Sequence, residues 1–143
     1  MTILAAVDGD YDEDEVLRTG FDLANAYDEP LLALHVMPNA EFADRQDSTP
    51  EYYLDDAEEA GRNLARQVTR GTLGGVGDTQ FRGEVGPVAE TIIDVAHDVD
   101  ARYLVIGGRK RSPVGKALFG SKTQTLLIDA DRPVVSLMRD DED

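Results

Sequence analysis

The chain has 143 residues, 29 acidic against 14 basic, a formal net charge of −15, and neither cysteine nor tryptophan. The length fits one domain, and a hydrophobic share of 41% is enough for a core. The absence of cysteine excludes disulfides, thiolate nucleophiles and cysteine-ligated metal centres, and the acidity argues against non-specific binding to nucleic acid or anionic lipid.

Of the acids 19 are Asp and 10 Glu, and of the bases 11 are Arg and three Lys. An acid-rich, lysine-poor surface suits a cytoplasm at high salt, where screening removes carboxylate self-repulsion. A halophilic source is therefore expected; an ordinary acidic protein is the alternative. No apolar run approaches the roughly 20 residues of a membrane span. The start, Met1-Thr2-Ile3-Leu4, lacks the features of a secretory signal. A soluble cytoplasmic domain over residues 1–139, with an acidic tail over 140–143, is expected.

In chain order, Thr2 to Val7 is short, apolar and β-branched at its start, and reads as a buried strand ending in the turn Asp8-Gly9-Asp10. Val16, Leu17, Gly20, Phe21, Leu23, Ala24 and Tyr27 then fall at helical spacing. The acids from Asp12 to Glu15 suit that helix's first turn, and Asp28-Glu29-Pro30 stops it. Leu31 to Met37 is a second apolar strand. Pro38 to Pro50 is polar, without periodicity, and reads as a loop. Ser48 or Thr49 is positioned to cap the next helix, with Pro50 as its first residue. That helix carries Leu54, Ala57, Leu64, Ala65 and Val68 and runs to about Arg70, before the glycines of residues 71–77.

Thr79 to Val85 alternates as a third strand. Pro87 opens a helix with Val88, Ile92, Val95 and Ala96 inward, ending near Asp100. Tyr103 to Ile106 is a fourth strand, followed by a glycine-bearing basic loop. Ser121 to Asp129 is helical, and Pro133 to Met138 is a fifth strand. Apolar strands alternating with amphipathic helices predict an α/β fold, a doubly wound parallel sheet with helices on both faces. Ligands of such sheets bind beyond the strand carboxyl ends at the switch point in strand order. That draws attention to Asp8 to Asp10, His35 to Pro38, Val85 to Pro87 and the segment from Gly107 to Ser121.

This last segment reverses the charge of the chain. From Arg109 to Lys122 it holds five positive residues, all three lysines among them, and no acid. Glycines let backbone amides approach an anion closely, and a helix start offers free amides and a positive dipole end. Ser121 and Thr123 add hydroxyls, while Arg109, Lys110 and Lys122 add charge. The segment thus reads as a phosphate site, or else as a solvated basic loop facing carboxylates of this chain or of a partner. Neither G-x-G-x-x-G nor a P-loop is present; Gly115-Lys116 runs into Ala117.

Gly107 followed, after the spacing of a glycine motif, by Gly120-Ser121 resembles the signature of the universal stress protein family, with Lys110 in place of the second glycine. Asp8 after the first strand, Leu34-His35-Val36, Gly86-Pro87 and Arg132-Pro133-Val134-Val135 extend the resemblance along nearly the whole chain. It implies a five-stranded sheet of order 3-2-1-4-5 and binding of ATP or a related adenine nucleotide, with Mg2+ as a possible companion. By that resemblance Asp8 and the Val36 backbone would meet adenine and ribose. Gly107 would pack near the ribose, and Gly120, Ser121, Lys122 and Thr123 would hold phosphates, with Arg109 and Lys110 nearby. It also implies a stress-response regulator with no catalytic residues and at most slow ATPase activity. A homodimer formed through the last strand, Val134, Val135 and Leu137, is the implied assembly. The alternative is a dimeric scaffold without nucleotide, its basic loop contacting acidic partners.

Other candidates are weaker. Asp8, Asp10, Asp12 and Asp14 lack the spacing of an EF-hand and read as a solvated turn and acidic helix start, with Asp10 a weak magnesium candidate. His35 and His97 stand alone and read as packed or surface residues. No nucleophile motif is present. Tyr52 and Tyr53 fit either core packing or a ligand cover.

Overall fold

A computed structural model describes residues 1–8, 14–110 and 121–140, with backbone alone at 109, 110, 139 and 140. The strands are β1 (Thr2–Ala6), β2 (Leu31–Met37), β3 (Gln80–Val85), β4 (Ala101–Lys110) and β5 (Val134–Asp140). The helices are α1 (Glu15–Tyr27), α2 (Asn39–Ser48), α3 (Leu54–Leu73), α4 (Val88–Asp98) and α5 (Ser121–Asp129). The sheet is wholly parallel, in the order β3-β2-β1-β4-β5.

Alternation along each strand separates two cores. Leu4, Leu32, Leu34, Leu104 and Ile106 point to one face, where Ile92, Val95 and Ala96 of α4 and Leu126 of α5 cover them. Ile3, Ala5, Leu31, Ala33 and Val105 point to the other, under Leu17 and Ala24 of α1 and Ala65 and Val68 of α3. Helix α3 approaches β3 without intervening side chains. A Cβ on Gly83 would overlap the Glu58 carbonyl oxygen and lie 2.8 Å from the Arg62 nitrogen. Glycine on both sides, Gly61 and Gly83, lets the helix backbone rest on the strand.

Three expectations need correction. The segment after Pro38 is not a loop: residues 39–48 form α2. None of its residues is buried, so it has no apolar periodicity to read. The Phe42 ring sits 5.9 Å from that of Tyr52, and Gln46 donates to the Tyr52 carbonyl at 3.1 Å. These contacts fold α2 back onto the connection to α3. Second, neither Ser48 nor Thr49 caps α3. That helix begins at Leu54, with the Tyr53 N–H donating to the Asp56 carboxylate at 2.9 Å.

Third, β4 does not stop at Ile106. Gly107, Gly108, Arg109 and Lys110 continue it, in register with Leu137, Met138, Arg139 and Asp140 of β5. The ladder with β5 outweighs the poor strand propensity of two glycines, and it draws Asp140 out of the expected tail. Phe21 and Tyr27 lie in α1, as their spacing indicates, and are 38% and 43% exposed. Tyr27 meets Tyr103, hydroxyl to hydroxyl at 3.0 Å.

At the amino ends of the strands, Arg102 grips Glu29 in a fork of 2.7 to 2.9 Å and lies 4.8 Å over the Tyr27 ring. The hydrogen bond from Arg102 holds the Glu29 carboxyl below its usual range, against the opposing effect of desolvation. A depressed carboxyl pKa stabilises the fold in full above the unfolded value, about 4.3, and loses that contribution as pH falls through the folded value. Glu29→Gln is therefore expected to flatten the fall in melting temperature between about pH 5 and 3. An unchanged acid slope in a thermal melt series would contradict this.

Candidate functional site

Beyond the carboxyl ends of β1, β2 and β4 lies a cleft of about 650 Å3. It opens where strand order reverses: the chain winds outward from β1 to β2 and β3, then returns to add β4 and β5 on the other side. Asp8, Val36, Gly107, Ser121, Lys122 and Thr123, drawn from four separate segments, all line it. Arg109 and Lys110 continue β4 just past Gly107. Gly120 and Asp10 lie outside the described residues.

Ladder parity determines what the β2 wall offers. In a parallel strand, the N–H and C=O of one residue point to the same side, and neighbours alternate. The Leu34 carbonyl accepts from the Val7 N–H at 2.8 Å, so Leu34 faces β1; the Met37 carbonyl accepts from Gly86 at 3.0 Å, so Met37 faces β3. Val36 shares the parity of Leu34. Its N–H and C=O therefore point to the β1 side, one rung beyond the last β1 pairing of Ala6 with Leu34.

The opposite wall is the start of α5. Helices α1, α2, α3 and α4 each carry an acid in the first turn, whereas α5 carries none and has Lys122 instead. Its amides and dipole thus meet no carboxylate of their own turn. Ser121 and Lys122 are exposed, while Thr123 is 7% exposed and donates to the Gly107 carbonyl at 3.4 Å. Thr123 ties α5 to β4, and Ser121 and Lys122 are the side chains that remain open to an anion.

Several lining residues escaped the sequence reading. Asp14 is 7% exposed, not solvated. Its carboxylate caps α1 by accepting from the Leu17 N–H at 3.1 Å, and its own N–H donates to the Thr72 hydroxyl at 3.0 Å. The N-cap position before Glu15 was a signal for this. Glu41 reaches the cleft only because α2 exists. His35 also lines the cleft, and its Nδ1 lies 2.9 Å from the Val7 carbonyl. His97, by contrast, is a surface residue, 3.2 Å from Asp131. Tyr52 packs on Phe42, and Tyr53 is 63% exposed. Among the described residues no group of three or more metal-binding side chains occurs, and no helix is long and apolar enough to cross a membrane.

The family model for universal stress proteins matches residues 1–137. The chain belongs to the universal stress protein family. A universal stress protein of Mycolicibacterium smegmatis is 28% identical over 98% of this chain and 49% of its own length. A second from the same organism is 42% identical over 41% of this chain and 45% of its own length. The chain thus spans about half the length of the curated relatives it matches.

Among solved structures, the universal stress protein of Archaeoglobus fulgidus aligns with a TM-score of 0.65 at 26% identity, over 95% of this chain and 97% of that one. A universal stress protein solved in complex with cAMP aligns with a TM-score of 0.62 at 18% identity, over 96% of each chain, and shares the fold. The strand order 3-2-1-4-5 implied by the family resemblance is the order observed.

Proposed function

We propose that this universal stress protein binds an adenine nucleotide, ATP with Mg2+ foremost, and acts as a regulator rather than a catalyst. The observation that carries the reading is the pairing of two walls in one cleft. The Val36 backbone edge faces the space beyond β1, and the acid-free start of α5 stands across from it. A backbone N–H beside a C=O complements adenine, whose ring N1 accepts and whose N6 amino group donates. Guanine presents the opposite polarity along that edge. On this reading Asp8 meets adenine or ribose, Gly107 allows the ribose to approach, and Ser121 and Lys122 take the phosphates; the same phosphate role for Gly120, Arg109 and Lys110 rests on the sequence resemblance. A universal stress protein of the same fold solved in complex with cAMP agrees with this class of ligand.

Isothermal titration in molar potassium chloride tests the proposal. Saturable heat is expected with ATP and Mg2+, and at least about 100-fold weaker binding with GTP. No heat with ATP, or equal affinity for both, overturns it. High salt is the proposed working condition, because the acidic composition fits a halophilic cytoplasm. Self-association through β5 belongs to the same proposal. β5 is the sheet edge, and its Val134, Val135 and Leu137 are only half-buried.

A further inference from the structure

The β1–β2 ladder ends in an unusual way. Val7 donates its N–H to the Leu34 carbonyl at 2.8 Å, as a regular parallel rung requires. The next rung would hand the Val7 carbonyl to the Val36 N–H. At that carbonyl stands instead the His35 ring, Nδ1 to oxygen at 2.9 Å. A carbonyl only accepts, so Nδ1 carries the hydrogen and the ring donates.

We infer that His35 is a positioning residue for the cleft. By capping the Val7 carbonyl it ends the ladder one rung early, keeps the Val36 N–H turned toward the ligand space, and anchors the carbonyl from which Asp8 departs. The chemistry favours this arrangement locally. A buried carbonyl must be paired, and two donors compete for this one, the Val36 amide and the His35 ring. The ring's success leaves the amide for the nucleotide. A strand-ending leucine or valine at position 35 would leave the amide as the local donor, and the sheet would zip shut across the adenine edge. The inference rests on the adenine-binding reading for its ligand, but the cap itself exists without ligand.

Amide hydrogen exchange with residue resolution separates the two. In wild type without nucleotide, Val36 is expected to exchange at least tenfold faster than Leu34, which lies within the ladder. In His35→Leu the Val36 amide is expected to become protected to the level of Leu34, and ATP affinity to fall at least tenfold. His35→Asn places an amide donor near the Nδ1 position and is expected to restore fast exchange at Val36 and most of the affinity. A Val36 amide already protected in wild type, or unaltered by His35→Leu in a folded protein, overturns the cap. Normal ATP affinity in His35→Leu overturns the positioning role. Absence of ATP binding in wild type, with the exchange pattern as expected, leaves the cap standing and overturns its adenine-directed purpose.

Discussion

Gly83→Val is expected to destabilise the protein by at least about 3 kcal/mol, the upper end for overpacking a close contact. The reason is the nature of the atoms that a side chain would meet. The first is the Glu58 carbonyl oxygen, and the next are the Arg62 nitrogen at 2.8 Å and the Gly61 Cα at 2.9 Å. All three belong to the α3 backbone, which cannot change rotamer to make room. Helix α3 must lift from β3, and it also holds Ala65 and Val68 in the core beneath it. At roughly 3 °C per kcal/mol for a domain of this size, the melting temperature is expected to drop by about 10 °C. Gly61→Ala, whose Cβ would stand 2.8 Å from the Gly83 Cα, should act in the same direction. A Gly83→Val melt within about 2 °C of wild type would show that α3 does not rest on β3 as described.

The second large effect is expected on binding rather than stability. Gly107 lies at the carboxyl end of β4, in the cleft wall, and a Cβ there would come 3.1 Å from Cγ2 of Val16. That neighbour is a side chain at the start of α1 and can give by a few tenths of an ångström. Valine also favours strand conformation over glycine, which offsets part of the crowding. Among the described residues, its side chain would meet Val16 first, then the Leu137 carbonyl oxygen at 3.8 Å from the Cβ, and it would extend into the cleft that Gly107 lines. Gly107→Val is therefore expected to melt within a few degrees of wild type while ATP binds at least about 100-fold more weakly, a loss of about 2.7 kcal/mol. Gly107→Ala should lie between the two. Unaltered ATP affinity in the valine variant would remove Gly107 from the site.

Those positions also show where the sequence is legible and where it is not. β2 is legible to the residue, because Leu31 to Met37 is apolar but for His35 and lies between a proline-bearing stop and another proline. α5 is legible because it starts directly after Gly120 and its end precedes Pro133. Asp8, Val36, Gly107, Ser121, Lys122 and Thr123 converge because a doubly wound sheet brings its strand ends to one crevice.

What stayed hidden depends on contacts across the fold. α2 has no apolar stripe beyond Phe42, and the packing of that ring on Tyr52 is a tertiary event that no period reports. β4 continues through Gly107 and Gly108 because β5 lies alongside, and glycine by itself points to a loop. His35 looked like an isolated histidine because its partner is a backbone carbonyl 28 residues away, and backbone partners leave no trace in side-chain motifs.

Among the described residues α5 is the shortest helix, and it buries two side chains, Thr123 and Leu126. The strand ends in the cleft are fixed by ladders on one or both sides, and α1, α2 and α4 add Val16, Glu41 and Ile92 to its lining. With so little buried, local opening of α5 costs little, and it would loosen one side of the cleft. A ligand that grips the first turn of α5 is counted against that opening, so occupancy is converted into rigidity at a single element. On the proposed regulatory reading, such a difference is sufficient output. A partner able to sense whether α5 is loose or held would read nucleotide status from outside, with no rearrangement of the sheet.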